Sequence, residues 1–164
     1  MAVLFCLVLS QMASSQEIKP SKNSVYFEFF GNGGLYSINY ERELASKLYG
    51  RIGFSTFDYS NILGSGSESP SRVTVFPVMI TYLSGNGKNH FEISGGMLFG
   101  LETETGASNA IVDLTAFIGY RYQSSANGFL FRLGITPFYS LDNAAHYPDQ
   151  GYLTSAGLSL GFCF

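Results

Sequence analysis

Read backwards from Phe164, the closing stretch GYLTSAGLSLGFCF has an apolar residue at every second position: Phe164, Phe162, Leu160, Leu158 and Ala156. Between them stand Cys163, Gly161, Ser159, Gly157 and Ser155. A period of two is a strand's, because successive side chains point to opposite faces of the sheet. An ordinary half-buried strand shows charged residues to water on its second face. Here the second face carries no charge and almost no side chain. Whatever fold this strand joins must give it an apolar surrounding on one side and a confined space on the other.

The alternation recurs eight times. The runs are SVYFEFFG, LYSINYERE, KLYGRIGFSTF, RVTVFPVMITYL, HFEISGGMLFGLE, IVDLTAFIGYRYQ, FLFRLGITPFYS and the closing stretch, and none carries a helical period. Turn chemistry separates them. GNGK and SANG supply the Gly and Asn that tight hairpins use for positive φ. Connectors between runs two and three, four and five, and six and seven are tight. Those between three and four and between seven and eight are longer and polar. Run five to six is intermediate, and one to two is short. This predicts an all-β fold, an eight-stranded antiparallel up-and-down transmembrane β-barrel with both termini at the tight-turn end.

Parity sorts the side chains onto two faces. Val25, Phe27 and Phe29 oppose Tyr26, Glu28 and Phe30; Tyr36, Ile38 and Tyr40 oppose Ser37, Asn39 and Glu41; Ile52 and Phe54 oppose Arg51, Gly53 and Ser55. Phe91, Ile93, Met97, Phe99 and Leu101 oppose Glu92, Ser94, Gly96 and Gly100, and the sixth and seventh runs divide the same way. In the fourth run, Phe76, Val78, Ile80 and Tyr82 are expected outward. The mid-strand charges fall on one face, assigned to the lumen: Glu28, Glu41, Glu92 and Asp113 against Arg51, Arg121 and Arg132. Unpaired charges in a closed lumen would be costly to bury. These seven residues are therefore expected to form a salt-bridge network that plugs the barrel. Tyr40, Tyr49, Tyr82 and Tyr122 near the tight turns, and Tyr59, Tyr139 and Tyr152 near the long loops, predict aromatic girdles. Pro77 and Pro137 interrupt strands in a fold without edges. A bulge is expected near Pro77, and fraying at Pro137.

Composition narrows the function. Charged residues make up only 13% and the net charge is −3, so no basic patch exists to neutralise phosphates and nucleic acid is excluded as a partner. The longest apolar run, at the N-terminus, falls short of the roughly 18 residues a spanning helix needs. Residues 2–9 are apolar and Ala13, Ser14 and Ser15 follow, the pattern of a secretory signal cleaved near residues 15–17, although no Lys or Arg precedes it. A short buried strand or helix is the alternative. The expected division is signal peptide 1–16, periplasmic lead-in 17–23 and barrel 24–164. Cleavage would leave Cys163 alone, a small filler on the inner face. Two distant histidines and no cysteine cluster argue against a metal site, and no cofactor is expected. Eight strands leave no aqueous channel. His146, with Ser140, Asp142 and Asp149 nearby in sequence, is the candidate if the chain is instead a lipid-modifying enzyme. A soluble lipocalin-type lipid-binding barrel is a further alternative, but it would need a charged exterior.

The strand pattern, the N-terminal signal pattern and the ending LSLGFCF resemble the small eight-stranded outer-membrane β-barrels of Gram-negative bacteria over about residues 24–164. GNGGLYSINYER and LSGNGKNHFEISGG are similar to blocks in small, uncharacterised members. The resemblance implies outer-membrane localisation and a lipid surrounding; a monomer is expected. It identifies Leu160, Phe162 and Phe164 with the C-terminal assembly signal that the barrel-insertion machinery reads. It further implies a structural or surface-interaction role, envelope integrity or adhesion, with surface or host ligands met through loops 59–71, 104–110 and 141–152.

Overall fold

The structure is a computed structural model, described here over residues 21–58, 71–104, 107–124, 127–141 and 151–164. Eight strands follow one another: β1 (Asn23–Phe29), β2 (Tyr36–Ala45), β3 (Leu48–Asp58), β4 (Ser71–Ser84), β5 (Asn89–Glu104), β6 (Ala107–Gln123), β7 (Gly128–Ser140) and β8 (Tyr152–Cys163). Each pairs antiparallel with its sequence neighbour, and β1 pairs with β8, so the sheet closes into a barrel. Closure gives every strand a neighbour on both sides through the middle of the barrel, where an open sheet would leave an edge of unpaired backbone groups.

The two faces fall as the alternation predicts. Ile38, Ile52, Phe76, Val78, Ile80, Phe91, Ile118, Phe129 and Ile135 all point outward and stand about half exposed. Glu28, Glu41, Arg51, Glu92, Arg121 and Arg132 point inward and are at most 2% exposed. Phe30 departs from its expected inward place. Its φ of 53° starts the β1–β2 turn and swings the ring outside, where it is 58% exposed. Tyr49 departs the other way: expected in a girdle, it lies on the lumen face at 1% exposure, because parity with Arg51 outranks its position near a turn.

One connection and both prolines differ from expectation. β5 runs to Glu104 and β6 starts at Ala107, so residues 104–110 are mostly ladder, with Leu101 opposite Ala110 and Glu102 opposite Asn109. Polar composition marked this segment as loop. It is instead the far end of a long hairpin. Pro77 causes no bulge: β3 and β4 keep one register on either side of it, from Ile52 opposite Val78 to Ser55 opposite Val75, and β5 pairs through it. The register shift in this part of the barrel lies at Glu43/Ala45. Pro137 causes no fraying. β7 pairs with β8 to Tyr139, and the Thr115 hydroxyl donates to the Pro137 carbonyl at 3.2 Å. Each proline interrupts one ladder locally and leaves the other intact. The 1–16 segment, most of the 17–23 lead-in, loop residues 59–70 and 142–150, Tyr59 and His146 lie outside the described residues.

Small inner-face residues let the sheet coil tightly. Gly119 of β6 faces Gly134 of β7. A Cβ at Gly119 would meet the Leu133 carbonyl at 2.3 Å, and one at Gly134 would meet the Phe117 ring at 2.6 Å. We therefore expect Gly119→Val to push β6 and β7 apart and to destabilise the folded barrel by about 2–3 kcal/mol, the upper range for overpacking. Urea unfolding of the refolded protein in detergent reads that loss as a lower midpoint.

Candidate functional site

The lumen is divided by level. Its middle holds charge. Arg51 of β3 pairs with Glu28 of β1. Glu28 also holds Arg132 of β7 at 3.2 Å, and Arg132 holds Glu92 of β5 at 2.5 Å. Glu92 lies 3.6 Å from Arg121 of β6, which pairs with Glu41 of β2 at 2.5 Å. The result is one alternating line, Arg51–Glu28–Arg132–Glu92–Arg121–Glu41, drawn from six strands. Every side chain in it is fully buried. Arg132 binds Glu92 through both Nε and a terminal nitrogen, the forked geometry that guanidinium offers a carboxylate.

Polar neighbours add hydrogen bonds, which a buried ion pair needs to offset its lost hydration. The Ser37 hydroxyl donates to Glu28 at 3.3 Å and the Ser94 hydroxyl to Glu92 at 3.1 Å. Arg132 reaches the Ser159 oxygen at 3.2 Å. Arg51 donates to Asn39 and, at 3.0 Å, to Asn32. Aromatic faces carry the remaining guanidinium surface: Arg132 lies 4.3 Å from the Phe117 ring centroid and 4.8 Å from that of Tyr26, and Arg121 lies 5.6 Å from that of Tyr49.

The structure brings together six of the seven charged residues expected in the lumen. Asp113 is buried on the same face but at another level. It is eight residues from Arg121 along β6, roughly 26 Å at 3.3 Å per residue, and it lines the outer cavity instead. Asn32 was not expected. NGG reads as turn chemistry, yet Asn32 folds back into the lumen at 0% exposure, donates to the Thr115 hydroxyl at 2.6 Å and accepts from Arg51. No sequence signal separates it from an ordinary turn asparagine. Tyr26 and Phe117 were placed inward by parity but not tied to arginines. Leu160 and Phe162 face outward on β8, with Phe164 just beyond it, all 43–51% exposed.

Apolar layers bound the charges. Toward the inner end Tyr26, Leu130 and Cys163 pack together. Toward the loop end Val73, Val75, Leu98, Ile111 and Phe138 form a cluster against Phe57. Above that cluster lies a cavity of about 390 Å³. A cleft of about 450 Å³ at the opposite rim is lined by the β2–β3 and β4–β5 turns. Among the described residues, no three His, Cys, Asp or Glu are grouped to hold a metal ion. Ser140 is buried on the lumen side of β7.

Two solved structures share the fold. The N-terminal β-barrel domain of Pseudomonas aeruginosa OprF superposes with a TM-score of 0.61 at 18% identity, covering 88% of this chain and 99% of that one. Neisserial surface protein A superposes at 0.51 with 10% identity, covering 87% and 92%. No family model matches the chain, and no curated protein is similar to it. At such identities the likeness concerns the barrel and its strand order.

Arg132 is the centre of the charged line, so Arg132→Met would leave Glu28 and Glu92 buried with half their pairing gone. We expect a loss of about 3–5 kcal/mol, the range for breaking a buried pair. The exposed Arg72–Asp58 pair at 3.1 Å is the contrast; Arg72→Ala should leave the midpoint nearly unchanged, because solvent screens an exposed pair. Paired urea midpoints measure both.

Proposed function

We propose that this protein is an integral outer-membrane β-barrel with a sealed lumen, a structural body that carries its loops outside the cell. One observation carries the reading: an outward face that is apolar on all eight strands surrounds an interior crossed at mid-height by a line of buried ion pairs. A soluble barrel has the reverse arrangement. Exposed apolar area of this extent marks a membrane or partner surface. Tyr40, Tyr82, Tyr120, Tyr139 and Tyr152 stand exposed on the outer wall toward the strand ends, where aromatic belts meet the interface. The outer-membrane assignment draws on the shared fold with OprF and Neisserial surface protein A, and on the aromatic ending Leu160, Phe162 and Phe164. That ending would be read by the barrel-insertion machinery. The structural role, envelope integrity or adhesion through the outer loops, draws on the filled lumen, which offers neither a conduit nor a reaction chamber. The barrel would act as a monomer and without a cofactor.

Residues 17–164 refolded in detergent should migrate differently on SDS gels before and after boiling. Liposomes carrying the folded protein should swell in sugar solutions no faster than empty ones. Unchanged mobility, with a monomer soluble in plain buffer, would refute the membrane reading, and rapid swelling would refute the sealed lumen. In a strain lacking the protein, a variant with residues 60–69 replaced by a short Gly-Ser turn should restore detergent resistance but not surface attachment.

A further inference from the structure

The outer half of the lumen is walled by the wrong chemistry for a water-filled mouth. Val73, Val75, Leu98, Ile111 and Phe138 point inward from four strands, with Phe57 beside them from a fifth. The cavity they line, about 390 Å³, falls within the roughly 300–1,000 Å³ of small-molecule sites. It is blind at its base. The β1–β2 turn folds down over the charged line: a Cβ at Gly31 would meet the Glu28 carboxyl carbon at 2.2 Å, and Asn32 ties the turn to Thr115 and Ala116 of β6.

The wall of this cup is lowest at one place. β1 ends at Phe29, opposite Leu158, while β8 continues through residues 152–157 with β7 as its partner. On the other side β2 begins at Tyr36, and β3 continues past Phe54, its last residue paired with β2 (opposite Ile38), to Asp58. Among the described residues, the β1–β2 turn is what fills the gap. The Ser155 hydroxyl donates to the Phe30 carbonyl and fastens the turn there. Phe30, at 58% exposure, and Leu153, at 36%, line the cavity and also stand at this gap. Tyr152 and Tyr139, opposite one another on β8 and β7, stand on the outer wall at the same level, half exposed. The apolar interior is thus continuous, over the low wall, with the apolar exterior.

We propose that the cup takes one acyl chain of a membrane lipid, which enters tail first over the β1–β2 turn and leaves its headgroup at the interface. This inference rests on the membrane reading above. Asp113 and Glu102 also line the cavity, so a tail entering alone suits it, whereas a free fatty-acid carboxylate drawn inside would meet like charge.

The test uses the full barrel with labelled Ile, Leu and Val methyl groups in dimyristoylphosphatidylcholine nanodiscs. Cross-peaks from lipid methylene protons should reach the lumenal methyls of Val75, Leu98 and Ile111 as well as the outward methyls of Val78 and Ile118. Leu98→Trp, which fills the cup, should abolish the lumenal cross-peaks, keep the outward ones and retain the heat-dependent gel shift. Lumenal methyls that contact water or residues 60–69 instead of lipid would overturn the proposal, as would lipid cross-peaks that survive in a folded Leu98→Trp protein. The wild-type spectrum decides alone if that variant does not fold. Loss of lipid contacts at Val78 and Ile118 too would overturn the membrane reading itself.

Discussion

The barrel depends on the buried line Arg51–Glu28–Arg132–Glu92–Arg121–Glu41. A closed eight-stranded sheet that turns its apolar side outward has little apolar core to hold it. Its interior must be joined by something else. Here charges from β1, β2, β3, β5, β6 and β7 meet at one level, and partners as far apart in sequence as Glu28 and Arg132 touch. β8 joins through Ser159, and β4 through Thr81, which bonds Ser94 at 2.8 Å. Every strand is therefore tied to the same centre. A one-residue slip of any charged strand would turn its carboxylate or guanidinium outward and strand its partner inside. The line specifies register as well as stability.

Alternating sign matters as much as burial. Glu28 and Glu92 each lie between two arginines, and Arg132 and Arg121 each lie between two carboxylates. No interior member faces only like charge. The ends, Arg51 and Glu41, are closed by Asn32, Asn39 and the Tyr26 hydroxyl, which lies 3.5 Å from Glu41. Small residues make the space. A Cβ at Gly53 would meet the Asn39 amide oxygen at 2.3 Å and the Pro77 ring at 2.8 Å. The glycine thus accommodates both an asparagine that holds Arg51 and a proline that gives up a ladder bond.

Strand faces were legible because each residue in a strand has two choices, and a charge that avoids the apolar side reveals the choice for its neighbours. Level along the barrel was not legible. It depends on register and strand tilt, which alternation leaves free, so Asp113 shared a face with Arg121 but not its company. Segment ends were legible only where turn residues agreed with hydropathy. TETGASNA is polar and reads as loop, yet a strand that leaves an apolar surrounding has no further need of apolar residues and can continue as ladder. The β1–β2 turn shows the opposite limit. Its Asn32 serves the lumen and its Phe30 the exterior, both by reversals of the chain that parity does not reach.

The layered interior has a further physical consequence. The charged line is bounded by Leu130 and Cys163 toward the inner end and by the Val73, Val75, Leu98, Ile111 and Phe138 cluster toward the outer one. Coulomb attraction between neighbours weakens as water enters, because the effective dielectric rises. Apolar layers above and below therefore strengthen each ion pair without touching it. They also raise the penalty for any charge that loses its partner. The outer layer then has two roles that reinforce each other: an occupied cup excludes water from the line beneath it, and a rigid line holds the floor that makes the cup blind. Changes at Val75 or Leu98 should thus reach the charged centre through hydration rather than through contact.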